Sequence, residues 1–180
     1  MATLQIPVTA VDHAEGEVGA PITLVEYGDY ECPACGAAYS VVKAVQKHFG
    51  EKLRFVFRNF PLTKLHPQAE SAAEVAEFTA AHARFWEMHD GLYENQDELG
   101  LPLYLALAES LDLRAADLTA ALEKHSFRPK VRADFSGGLK SGVNGTPTFY
   151  INGKRHDGSF ELEDLVGAID AALQRVKLEA

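Results

Sequence analysis

The chain is predicted to be an α/β protein whose sheet is interrupted by an all-helical insertion. Three observations predict this. Apolar runs at 22–27 and 53–58 flank a stretch with helical periodicity. Helical patterns rich in alanine and leucine then fill residues 61–141, where strand signals are absent. Strand character returns at Thr148-Phe149-Tyr150-Ile151, and Asn152-Gly153 follows as a hairpin signal. At 180 residues the chain can bury one sizeable core.

Taken in order, Ile22-Thr23-Leu24-Val25-Glu26-Tyr27 reads as a buried strand ended by Gly28. Ala38, Val41, Val42, Val45 and Phe49 share one face of a helix that Gly50 closes. Leu53, Phe55 and Phe57 alternate along a second strand, and the interval between the strands suits a right-handed parallel crossover. Helices are expected at 69–83, 102–111, 114–125 and 129–139. The hairpin returns over Lys154 to His156, and a last helix carries Leu162, Leu165, Val166, Ile169, Leu173 and Val176 on one face. Residues 1–60 and 142–180 are therefore expected to form a discontinuous core around an insertion at 61–141.

A hydrophobic fraction of 47% and a charged fraction of 24% are ordinary for a soluble globular protein. The net charge of −9 argues against nucleic acid and anionic membranes as partners, because phosphates call for a basic surface. No segment approaches the ~20 apolar residues that span a bilayer. The first Lys or Arg is Lys43, and Met1 to Pro7 holds no apolar run, so a cytoplasmic location is the expectation.

Cys32-Pro33-Ala34-Cys35 contains both cysteines of the chain. Two thiols at this spacing, between a strand and a helix, suit the opening and closing of a disulfide within one turn. Cys32 lies where a helix begins, so unpaired backbone N–H groups favour its thiolate. Asp29 and Glu31 are acidic neighbours that oppose a thiolate if they lie close. The competing reading is half of a zinc site, which needs four ligands. There is no second CxxC, and the seven histidines show no tight pairing, although His82 and His89 can share a helical face. His66-Pro67 reads as a helix opening. Tyr27, Tyr30 and Phe149 are either core or an apolar rim, and Phe85 and Trp86 read as packing within the insertion.

The combination of Gly28-Asp29-Tyr30-Glu31-Cys32-Pro33-Ala34-Cys35, Phe57-Arg58-Asn59-Phe60-Pro61-Leu62, Phe85-Trp86-Glu87-Met88-His89 and Gly145-Thr146-Pro147-Thr148-Phe149 resembles the thioredoxin superfamily. The helical block narrows the resemblance to the DsbA-like branch. It covers roughly residues 15 to 175 and implies a thioredoxin-like fold with an all-helical insertion.

The resemblance also implies roles. Cys32 is the nucleophile and Cys35 resolves the mixed disulfide. Glu26, six residues before Cys32, is a buried acid that relays a proton to or from the second thiol. Thr146-Pro147 is a cis-proline turn facing the dithiol, and Thr146, Pro147, Pro33 and Ala34 are the candidate substrate-binding positions. Pro-Ala replaces the Pro-His of the founding DsbA proteins, so a less oxidising couple is expected.

The function implied is thiol–disulfide oxidoreduction with no bound cofactor and no metal. Its substrates would be protein disulfides or thiols, with glutathione or a thioredoxin-type protein as redox partner. A glutathione-dependent transferase or isomerase on the same fold, and a redox-responsive binding or chaperone-like module, are the alternatives. The last helix and the insertion both offer faces to a second copy.

Overall fold

A computed structural model describes residues 2–179 of the chain. Five strands form one sheet: β1 (His13–Glu15), β2 (Ile22–Gly28), β3 (Leu53–Asn59), β4 (Thr148–Ile151) and β5 (Lys154–His156), in the order β1-β3-β2-β4-β5. Seven α-helices lie among the described residues: α1 (Pro33–Phe49), α2 (Ala69–Ala80), α3 (Phe85–Glu94), α4 (Leu101–Ser110), α5 (Ala115–Glu123), α6 (Arg128–Ser141) and α7 (Leu162–Glu179). Two of these elements were not expected. Strand β1 is three half-buried residues, too few to show an alternating pattern. Helix α3 follows α2 after a turn in which Ala83 takes a positive φ of 57°.

The chain forms two compact units. One comprises the chain through Gly28, Ala37–Arg58, and the chain from Gly137 onward. The other comprises Asp29–Gly36 and Asn59–Ser136.

The first unit holds the sheet. β4 runs antiparallel to β2, with Leu24 opposite Ile151, Glu26 opposite Phe149 and Tyr27 opposite Thr148. β5 returns antiparallel to β4, and β1 lies antiparallel to β3 with Ala14 opposite Val56. Val42 and Val45 of α1 and Leu165, Ile169 and Leu173 of α7 are buried, as are Leu24, Val25, Phe55, Val56 and Phe57 on the strands. Because consecutive residues of β2 and β3 are buried, both faces of these strands are covered. The outer edge of β5 is also met: Leu4 N–H donates to Gly153 O at 2.8 Å and Arg155 N–H to Ala2 O at 3.0 Å.

Arg58 sits inside this unit. All five of its N–H donors are used: on Asp12 at 2.7 and 2.9 Å, on the Ile6 and Pro7 carbonyls at 2.8 and 3.0 Å, and on Tyr27 Oη at 2.9 Å. Burial disfavours its charge. The hydrogen bonds to Asp12 and Tyr27 outweigh that cost, and the guanidinium pKa is raised further.

The second unit is helical around α2, whose Ala69, Ala72, Ala73, Val75, Ala76 and Phe78 are all buried. The small alanines let neighbouring helices approach closely. The buried acids of α2 have partners: Glu77 accepts from Asn59 Nδ2 at 2.8 Å, and Glu74 meets His125 Nδ1 at 3.0 Å.

Candidate redox-active site

Both cysteines lie in the segment that groups with the helices. Cys32 precedes α1, and Pro33 takes the first helical position, where a missing N–H costs nothing and the fixed φ suits the helix. Cys32 N–H donates to Asp29 O at 3.2 Å, and Cys32 O accepts the Gly36 N–H at 3.1 Å, closing the first turn. Cys35 falls within that turn. Cys32 keeps 6% of its surface exposed and Cys35 none, and neither is in a disulfide. Pro33 is exposed and Ala34 half-buried. The first thiol is thus the more accessible of the two, at the positive end of a helix.

Three side chains tie the cysteine loop to the helical unit. The buried Asp29 carboxylate accepts the N–H groups of Glu31 and Leu62, each at 2.8 Å, and meets His66 Nδ1 at 2.8 Å. Glu31 Oε2 accepts the Gln68 N–H. Gln96 Nε2 donates to the carbonyls of Tyr30 and Cys32, both at 2.8 Å. The two acids expected to oppose the thiolate are therefore engaged by amides and an imidazole. These bonds also explain why residues 29–36 group with the helices rather than with the sheet. Asp29 N–H donates in turn to Cys35 Sγ at 3.4 Å.

His66 does not open a helix, since α2 begins at Ala69. Burial alone would lower its pKa. The hydrogen bond and charge of Asp29, with smaller contributions from Cys32 and Glu31, outweigh burial and raise it. Sequence reasoning missed this residue and Gln96. Asp29, an acid set just after the apolar 22–27 run, was the available signal, because a buried carboxylate requires partners.

Gly36 is where Gln96 passes the helix. The Cβ of an alanine there would lie 2.2 Å from Gln96 Oε1. Gly36→Ala is expected to push Gln96 off both carbonyls at a cost of about 1–3 kcal/mol. The check is a lower thermal midpoint with faster amide exchange over 29–36, and an unchanged midpoint would refute it.

The remaining candidates lie in the sheet unit. Glu26 is on β2, 2% exposed. The Thr146–Pro147 peptide is cis, both residues are half-buried, and β4 starts immediately after at Thr148. The register places Glu26 opposite Phe149, two residues beyond Pro147. Tyr27, Tyr30 and Phe149 are 0%, 1% and 3% exposed, so they are core rather than a rim. Tyr30 Oη meets His89 Nδ1 at 2.9 Å, which leaves that buried histidine apart from the exposed His82. Phe85 is buried and Trp86 half-buried in α3. Among the described residues no group of three or more His, Cys, Asp or Glu side chains is placed to hold a metal ion.

A family model described as "Thioredoxin" matches residues 9–171. The chain belongs to the thioredoxin family. Among solved structures, oxidised BdbD from Bacillus subtilis superposes with a TM-score of 0.87 at 27% identity, covering 96% of this chain and 98% of that one. A thioredoxin-like oxidoreductase from Silicibacter pomeroyi gives 0.78 at 25%, covering 92% and 94%. Wolbachia pipientis α-DsbA1 gives 0.83 at 20% over 98% and 97% of the two chains, which speaks to the fold alone. The fold is thus thioredoxin-like with the helical insertion of DsbA-like thiol–disulfide oxidoreductases. Curated relatives include an Na(+)/H(+) antiporter NhaA 1 of Salinispora arenicola, 42% identical over 93% of this chain. The thioredoxin-family chain spans only 26% of that antiporter's length, and no helix among its described residues is long and apolar enough to cross a membrane.

Proposed function

We propose that this thioredoxin-family chain exchanges disulfides with protein or low-molecular-weight thiols through the Cys32–Cys35 couple. The observation that carries the reading is the pair itself: a thiol at a helix start that keeps 6% of its surface exposed, and a fully buried one within the first turn. The Cys32 thiolate attacks a substrate disulfide and forms a mixed disulfide, and the first substrate sulfur leaves as a thiolate that takes up a proton. Cys35 then loses its proton and attacks Cys32 Sγ. The second substrate thiol is released and the Cys32–Cys35 disulfide forms, so two electrons pass from the couple to the substrate.

Glu26 is the proposed proton relay for the Cys35 step, a role that its burial within a strand supports. Thr146 and Pro147, with Pro33 and Ala34 beside the attacking sulfur, are the proposed substrate contacts. The Thr146 backbone would pair with an extended peptide. Glutathione or a thioredoxin-type protein would return the couple to its starting state.

The test is the reduction potential, read by equilibrating the protein in glutathione buffers and counting thiols. A value between about −120 and −200 mV places the chain with disulfide donors and isomerases, and one near about −270 mV with reductases. The uncharged Pro33-Ala34 dipeptide favours a couple below the oxidising end of this range. If no disulfide forms in any buffer, the reading fails.

A further inference from the structure

The dipeptide between the thiols carries no charge, yet disulfide exchange proceeds through a thiolate. The same loop buries a carboxylate. The Asp29 side chain has 0% exposure, its N–H donates to Cys35 Sγ at 3.4 Å, and its carbonyl accepts the Cys32 N–H at 3.2 Å. A negative charge held there without compensation opposes a second one on sulfur. His66 is the titratable side chain that meets this carboxylate, Nδ1 to Oδ2 at 2.8 Å, and 18% of it remains exposed. It can therefore exchange protons with water while it holds the buried acid. The acceptor at Nδ1 keeps a proton on that nitrogen and leaves titration to Nε2.

On the reading that the cysteine pair exchanges disulfides, we propose that His66, anchored by Asp29, is the positioning cation of the site: its imidazolium stabilises the Cys32 thiolate and so the reduced form of the couple. It takes the part that a charged residue between the cysteines would otherwise play. The groups that act on His66 are Asp29, Glu31 and Cys32, all on the 29–36 loop, and all three favour its charged form. Glu31 is itself turned to the Gln68 N–H. Stabilising the thiolate makes the couple more oxidising, and that contribution is lost as rising pH deprotonates His66.

Two measurements test this. In the unaltered protein, the His66 titration followed by NMR is expected at higher pH in the reduced form than in the disulfide form, because coupling between two sites acts equally in both directions. Superimposable curves overturn the proposal. His66→Gln keeps a donor for Asp29 without the charge. It is expected to move the pH profile of Cys32 alkylation about tenfold in proton concentration towards alkaline pH. The glutathione equilibrium should shift about tenfold towards the disulfide, ~30 mV more reducing. A folded His66→Gln protein with unchanged profile and potential overturns the proposal while leaving the oxidoreductase reading intact. Failure of the parent protein to form the Cys32–Cys35 disulfide overturns that reading instead.

Discussion

Cys35→Ser is expected to stop turnover and leave the protein joined to its substrate through Cys32, one adduct per chain. Cys32, the more exposed of the two thiols, still attacks, but a serine hydroxyl cannot displace the substrate sulfur, so the mixed disulfide persists. Non-reducing mass spectrometry after incubation with glutathione disulfide reads this directly as one added glutathione. Cys32→Ser is expected to give no such adduct, because Cys35 has no exposed surface from which to start. Multiple turnovers by Cys35→Ser at the parent rate would show that one activated residue suffices, as a glutathione-dependent transferase requires.

Arg58→Leu should cause the largest loss of stability of any single exchange considered. Arg58 is 3% exposed and its partner Asp12 7%, so leucine leaves a buried carboxylate that has lost both of its guanidinium contacts. The Ile6 and Pro7 carbonyls and Tyr27 Oη lose a donor as well. Breaking one side of a buried ion pair costs about 3–5 kcal/mol, which for a chain of this size lowers the thermal midpoint by roughly 6–20 °C. A double Arg58→Leu/Asp12→Leu protein should recover part of the loss, because the stranded charge goes with its partner. A single variant within about 1 kcal/mol of the parent would mean that water reaches Asp12.

Much of this architecture could be read from periodicity. The apolar 22–27 run, the alternation of Leu53, Phe55 and Phe57, and Asn152-Gly153 marked β2, β3 and the β4–β5 hairpin, because burial and turn chemistry impose local patterns. Gly50, with φ +52°, ends α1 where its sequence position suggested. The alternation misled in one respect: Val56 and Arg58, on the other side of β3, are buried as well. Strand β1 was invisible because it is defined by its partner β3 and not by its own composition.

The site divides the same way. The thiols announced themselves by spacing. The bonds of His66 and Gln96 to the cysteine loop span 37 and 66 residues of sequence, and pairing at that range leaves no periodic trace. Arg58 was legible only as part of a family motif, and its four partner residues belong to three separate segments.

The treatment of the sheet margins has a consequence for the protein at high concentration. At one margin, β5 is three residues long, and the Arg155 N–H and the adjoining Gly153 carbonyl are already bonded to Ala2 and Leu4. At the other, β1 is equally short and carries His13 and Glu15. A long uncovered margin would recruit strands from other molecules and seed aggregation. These two leave little backbone for a neighbour to template on, so crowded copies are kept from merging their sheets into a continuous ribbon.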